Sequence, residues 1–238
     1  MPAVHFHESS DRRSGWVPRT AQTVLRSPRM DDPKHLVAAG YDAMAARFDE
    51  WQKQIVGSPR IRYLDQLLAL LPPHPDLLEL GCGAGVESTR VLAERGRLTG
   101  VDISEAQLAL ARQRVPAATF IRADLAELRF AAESFDGVVA LYVLFHLPRA
   151  EVGSLVGRLS DWLRPGGVFL ATILGRGDGE GVEEWLGVPM FFSNSDPHAD
   201  RELVREAGLT ILEDETVVQT EPEGDLPFHW MLAQKSKT

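Results

Sequence analysis

Between residues 35 and 51 the apolar residues Leu36, Val37, Tyr41, Met44, Ala45, Phe48 and Trp51 recur at three- and four-residue spacing. That period predicts an amphipathic helix over His35–Trp51. A second stripe, Ile61, Leu64, Leu67, Leu68 and Leu71, predicts a helix from about Pro59 to Leu71, with Pro72-Pro73 ending it. Beyond it the pattern changes. Short apolar runs at 77–81, 98–103, 118–122, 135–143 and 167–173 alternate with helical stretches. Such alternation specifies a parallel sheet with right-handed crossovers, an α/β class. The last two runs, Thr210 to Val218 and Phe228 to Gln234, are separated by a Pro/Gly/acid turn and should pair antiparallel.

The first strand enters Leu78-Glu79-Leu80-Gly81-Cys82-Gly83-Ala84-Gly85, and the second ends at Gly100-Val101-Asp102-Ile103-Ser104. Glycines 81, 83 and 85 remove side chains where backbone must approach a ligand, and an acid ending the next strand can take two ribose hydroxyls. A nucleoside-containing cofactor follows. A dinucleotide fingerprint needs a later third glycine, where Val86 stands, and Glu79 suits an ammonium- or sulfonium-bearing ligand better than a pyrophosphate. The pattern therefore leans away from NAD.

At these residues the chain resembles the class I S-adenosylmethionine-dependent methyltransferases, whose first motif is an acid followed by Gly-x-Gly-x-Gly. The resemblance continues through Phe120-Ile121-Arg122-Ala123-Asp124-Leu125, Phe135-Asp136-Gly137-Val138-Val139-Ala140 and Leu163-Arg164-Pro165-Gly166-Gly167-Val168-Phe169-Leu170, in order, over roughly residues 36–235. It implies a Rossmann-like seven-stranded sheet of order 3-2-1-4-5-7-6 with the last strand antiparallel. It also implies that the two N-terminal helices, at about 35–71, cap the cofactor. S-Adenosylmethionine is then the cofactor and S-adenosylhomocysteine the product. Gly81, Gly83, Gly85 and Glu79 would hold the amino-acid part, Asp102 the ribose, and Ile103 the adenine face. Asp124 would accept from the adenine amine, with the backbone of Leu125 beside it, Leu141 would border the cofactor, and Tyr41 would reach its carboxylate. For Tyr41 core packing is the competing reading, for Asp124 a solvated loop acid, and for Glu79 structural support. Asp102 could instead cap the next helix, although Ser104 with Gln107 forms the better capping box.

Composition narrows the partners. A formal charge of −9 over 238 residues repels phosphate backbones and argues against a nucleic-acid substrate. A single cysteine, Cys82, allows no intramolecular disulfide and points to a reducing, cytoplasmic setting. No apolar stretch reaches membrane-spanning length. The expected domain covers residues 30–238, as monomer or homodimer. Residues 1–29 carry five arginines against two acids without periodicity and read as a flexible extension, an arm over the active site being the sharper alternative.

Methyl transfer from a sulfonium is an in-line displacement that asks chiefly for alignment in a dry pocket, with a base only when the nucleophile must lose a proton. After the fourth strand comes Leu141-Tyr142-Val143-Leu144-Phe145-His146-Leu147-Pro148, at the sheet edge where α/β folds bind ligand. His146 is the candidate general base there, with a structural loop histidine as the alternative. Nucleic-acid amine methyltransferases carry Asn/Asp-Pro-Pro-aromatic at this point, and this chain does not. Cys82, inside the glycine loop, reads as a packing residue rather than a nucleophile.

The segment after the fifth strand is glycine-rich at 175–181 and then an apolar loop, Trp185 to Ser193. Together with Tyr142, the side chains Trp185, Met190, Phe191 and Phe192 are expected to line a pocket for a small hydrophobic acceptor. Asp196, His198 and Asp200 could ligate a metal, but Asp196-Pro197 reads better as a helix start, so no metal site is expected. Tyr41-Asp42-Ala43-Met44-Ala45 and the Trp185–Ser193 segment resemble actinobacterial enzymes, many of which tailor secondary metabolites. The competing function is a methyltransferase-like module that holds the cofactor without catalysis.

Overall fold

The computed structural model describes residues 32–237 apart from 176 and 178, so the extension expected over residues 1–29 lies outside the described residues. Helix α1 (Pro33–Gln52) starts where Asp32 accepts a hydrogen bond from the Lys34 amide and Pro33 sets the first turn. Helix α2 (Arg60–Leu70) follows. Then come β1 (Asp76–Leu80), α3 (Glu87–Arg95), β2 (Arg97–Asp102), α4 (Glu105–Arg114), β3 (Thr119–Arg122), β4 (Phe135–Ala140), α5 (Arg149–Trp162) and β5 (Leu163–Leu174). The chain ends with β6 (Gly179–Trp185), β7 (Val188–Asn194), α6 (Pro197–Glu206), β8 (Leu209–Glu221) and β9 (Gly224–Lys235).

The main sheet has seven strands in the order β3-β2-β1-β4-β5-β9-β8. Strands β1 to β5 pair parallel, β9 runs antiparallel to β5, and β8 pairs antiparallel with β9. With β6 and β7 set aside, this is the expected order 3-2-1-4-5-7-6.

Those two strands correct the sequence reading. Residues 179–194, expected as a flexible stretch and an apolar loop, form a separate β-hairpin, with Trp185 opposite Val188 and Gly181 opposite Phe192. Leu186 and Gly187 turn it with positive φ, 49° and 74°. Its core comes from elsewhere in the chain: Leu36, Val37 and Met44 of α1 pack with Met190 and Phe191 of β7. A strand whose apolar partner is a distant helix lacks the local alternation that reveals strands in sequence.

Alternation along β1 shows how the sheet is buried on both sides. Leu78 and Leu80 join a cluster with α5 and α6, through Leu155, Leu159 and Val204. Leu77 faces the opposite cluster, with Tyr63, Leu64 and Leu67 of α2, Leu92 of α3 and Trp230 of β9. Tyr63 and Trp230 stack at 5.0 Å. Glu79 shares the α2 side of β1 and is buried there, a carboxyl in an apolar layer at the end of a central strand.

Polar ties made by Asp42 and Asp49 help hold α1 over the carboxyl edge of the sheet. Asp42 accepts from the Ser104 hydroxyl and, at 3.0 Å, from the Ala106 amide at the start of α4. Asp49 takes both terminal guanidinium nitrogens of Arg114 at 2.7 and 2.9 Å near its end. Helix α1 thus roofs the loops after β1 and β2, whereas α2, also expected as a cap, packs on the face of the sheet against β1, α3 and β9.

Candidate active site

A cavity of about 320 Å³ opens where β1, β2 and β4 end beneath α1 and the β6–β7 hairpin. Its inner wall is the glycine loop. The amides of Gly81 and Cys82 both donate to the Val101 carbonyl, at 2.8 and 3.1 Å, so the loop is pinned to β2 as it leaves β1. Gly81, Gly83 and Gly85 all have positive φ. A Cβ on Gly81 would lie 2.5 Å from Val143, and one on Gly85 2.9 Å from Ala111, so these two glycines allow close packing. Gly83 differs: the nearest atom to a Cβ there is 3.9 Å away. Its open side faces the cavity, where a ligand can approach the backbone.

Asp102 closes this corner. Its two carboxylate oxygens accept from the amides of Gly83 and Ser104, each at 2.9 Å. Burial nevertheless lifts its pKa above the usual carboxylate range. Each oxygen retains a lone pair for a ligand hydroxyl. Ser104 caps α4 by accepting from the Gln107 amide, as the sequence predicts.

Glu79 lines the same cavity, and burial raises its pKa to about 7 against the opposing effect of Thr89 and Ser88. One of its oxygens is fully buried without a partner. An unpaired buried carboxyl oxygen beside an open glycine loop is what a cationic ligand would satisfy. Ile103, Leu125 and Leu141 supply apolar wall. Asp124 also lines the cavity, with Oδ1 accepting from Ala126 at 2.8 Å and Oδ2 paired with Lys34 at 2.8 Å. Lys34, which no pattern in the sequence singles out, also reaches Glu151 at 3.3 Å.

His146 sits in a short 3-10 turn, Leu144–His146, and is buried. Its Nδ1 lies 2.9 Å from the Phe191 carbonyl, which can only accept, so the ring proton is on Nδ1. Nε2 therefore accepts from the Tyr41 hydroxyl at 2.8 Å. Burial lowers the His146 pKa to about 4, opposed by the Phe191 contact, in place of the near-neutral value of a free imidazole. Burial, reinforced by Asp102 and Glu221, pushes the Tyr41 phenol well up. Tyr41 is thus bound to His146 and set edge-on to Phe48 and Trp185. Burial likewise raises the Cys82 thiol, in keeping with a packing role.

Of the five expected acceptor residues, Tyr142, Trp185 and Phe192 line the cavity and two do not. Met190 is fully buried against Gly40 of α1. Phe191 packs in the α1–β7 cluster and serves His146 through its carbonyl. Both are drawn away from the cavity because β7 is docked on α1. Tyr142 holds positive φ, 58°, fixed by its amide to Thr172 at 2.6 Å and its hydroxyl to Gln219 and Ser58. The guanidinium of Arg60 lies 4.9 Å from its ring centre.

Besides Trp185, the outer wall contains residues to which sequence reading assigned no acceptor role. Phe48, Trp51 and Trp185 pack edge-on or stacked at 5.1–5.8 Å. Four carboxylates, Glu183, Glu184, Glu221 and Glu223, line the cavity beside them. Glu223 accepts from the Trp51 indole at 2.9 and 3.1 Å. Phe48 and Trp51 were already on the predicted helix stripe. Their outward partners were not visible, because the two hairpins bring the glutamates in from far along the chain.

Residues 77–167 match the methyltransferase domain family. The chain is 32% identical over 197 residues to a 27-O-demethylrifamycin SV methyltransferase of Amycolatopsis mediterranei, covering 74% of this chain and 66% of that one. The chain belongs to the class I S-adenosylmethionine-dependent methyltransferases. A trans-aconitate 2-methyltransferase of Paracidovorax citrulli is 41% identical over 118 residues, 46% of this chain and 44% of the relative, so the chain spans from under half to about two-thirds of these relatives. The fold also matches a Burkholderia thailandensis 1,6-didemethyltoxoflavin N1-methyltransferase crystallised with S-adenosylhomocysteine, at TM-score 0.69 and 20% identity over 91% of this chain and 93% of that one. Among the described residues no helix is long and apolar enough to cross a membrane.

Proposed function

We propose that this chain transfers a methyl group from S-adenosylmethionine to a small, largely apolar acceptor bound between α1 and the two hairpins. The observation that carries this reading is one continuous cavity, with the glycine loop, Asp102 and Glu79 at its inner end and Tyr142, Trp185 and Phe192 at its outer end. The cofactor supplies a methyl group on a positively charged sulfur. The chain's work is to fix both partners in line and keep water out.

In this reading Asp102 holds the ribose hydroxyls, Glu79 faces the cofactor's ammonium group, Ile103 and Leu125 flank the adenine, and Asp124 takes its exocyclic amine. Tyr41 and His146 act as a pair: as the acceptor gives its proton to the Tyr41 oxygen, the Tyr41 proton passes to Nε2 of His146. A base held near pKa 4 is weak, yet adequate for a hydroxyl acceptor, because a hydroxyl oxygen becomes strongly acidic as the new C–O bond forms.

At the outer end Glu183, Glu184, Glu221 and Glu223 outnumber the single guanidinium of Arg60, a balance that disfavours an anionic acceptor. That separates this chain from the trans-aconitate enzyme, which it matches over 46% of its own length, and favours neutral or basic apolar acceptors. The lone buried cysteine supports a reducing, cytoplasmic setting.

Release of S-adenosylhomocysteine, followed over a panel of neutral, basic and polycarboxylate acceptors, tests the proposal. Turnover with neutral or basic aromatic members and none with polycarboxylates is expected. His146→Gln should lower turnover about a hundredfold while leaving cofactor affinity within twofold. A parallel loss of cofactor affinity would remove His146 from this role.

A further inference from the structure

A buried amide beside Asp102 is used by neither the fold nor the roles given above. We propose that Gln107 reads the cofactor, its side-chain amide hydrogen-bonding the ribose edge of the adenosyl ligand next to Asp102. The proposal rests on the placement of the nucleoside in this corner.

Gln107 is the third residue of α4 after the Ser104 cap. In a reciprocal capping box its side chain would turn back to the Ser104 amide. Only half of that box forms. The Gln107 amide N–H donates to the Ser104 hydroxyl at 3.2 Å, but the Ser104 N–H is taken by Asp102 Oδ1 at 2.9 Å. The side-chain amide is thereby released. It is 1% exposed, and neither its oxygen nor its nitrogen has a partner.

Burying both ends of an amide unpaired is costly, and native proteins rarely tolerate it without a use. Helix α4 gives the group no route to solvent, since Leu108 and Ala111 lock the same turns into the interior. Other buried unpaired atoms have different surroundings. Tyr63 and Trp230 stack with each other in the α2 layer. Glu79 stands on β1 before the glycine loop, where the proposed function places the cofactor's ammonium group.

Gln107 lines the cavity, and its Oε1 is the atom nearest the open side of Gly83. The Gly83 amide in turn donates to Asp102 Oδ2. The amide, the open glycine and the carboxylate therefore share one corner. A carboxylate only accepts, whereas an amide both donates and accepts. Together they match a pair of hydroxyls, which need donors as well as acceptors to be saturated.

The test replaces Gln107 with Met, which keeps its length, and separately with Leu. Titration calorimetry with S-adenosylhomocysteine and with methylthioadenosine, which keeps the nucleoside but lacks the amino acid, is combined with thermal unfolding of the ligand-free protein. We expect both ligands to weaken by about tenfold and by the same factor in both variants. The ligand-free melting temperature should hold or rise, because an unpaired amide has been removed. Affinities within twofold of wild type would overturn the proposal, as would a loss confined to S-adenosylhomocysteine or a marked fall in the ligand-free melting temperature of both variants. Asp102→Ala, titrated alongside, separates the two levels of failure: if it also binds like wild type, the placement of the nucleoside is wrong and not the role of Gln107 alone.

Discussion

At the scale of single residues, the site combines polar groups already held by the protein with buried ones, on Glu79 and Gln107, that have no protein partner. Asp102 is held by two backbone amides and His146 by a carbonyl, so both are locked in orientation. Tyr41 is tied to His146 by a 2.8 Å hydrogen bond, the contact on which the proposed proton transfer depends. Tyr41→Phe should therefore cut turnover by about tenfold or more with little change in S-adenosylhomocysteine affinity. A cofactor-binding defect without a turnover defect would return Tyr41 to the carboxylate-binding role its sequence position suggested. The glycines and Asp102 were legible because their demand is local: a backbone that must bend, and an acid that must end a strand. The state of His146 was not, because its burial depends on Phe191, 45 residues away.

At the scale of elements, the five parallel strands and the two N-terminal helices were readable from periodicity, since each buries an apolar face against its neighbours. The β6–β7 hairpin was not. Its strand β6 is largely exposed, with Val182 at 58%, and its apolar residues are concentrated on the side that meets α1. The same docking removes Met190 and Phe191 from the cavity and leaves Trp185 and Phe192 in it. Trp185→Ala should thus raise acceptor KM with S-adenosylhomocysteine affinity unchanged, as read from initial rates and calorimetry. Tightness between elements is equally specific. An alanine at Gly85 would carry φ of 68° and press on Ala111 of α4, so Gly85→Ala should lose about 2 kcal/mol or more in urea unfolding.

At the scale of the whole molecule, two buried groups oppose each other as pH changes. Burial depresses His146 from 6.5 to about 4, so the unfolded chain binds a proton first and stability falls as pH drops from about 6.5 toward 4. Burial raises Glu79 from 4.5 to about 7, so the unfolded chain ionises first and stability falls as pH climbs from about 4.5 toward 7. The windows overlap and the slopes have opposite sign. Relative to wild type, His146→Gln should gain stability as pH is lowered from 6.5 to 4, and Glu79→Gln as it is raised from 4.5 to 7. Each difference should be on the order of 1–3 kcal/mol by urea unfolding across that range. Parallel profiles for all three proteins would contradict the burial assigned to these groups.

The account turns on one claim, that the glycine loop and Asp102 form the adenosyl site. Isothermal titration of the wild-type chain and Asp102→Ala with S-adenosylmethionine, S-adenosylhomocysteine and NAD tests it most directly. The account predicts binding of both adenosyl ligands, none of NAD, and a loss of at least tenfold in the variant. Binding of NAD in their place, or adenosyl binding that Asp102→Ala leaves intact, would contradict it.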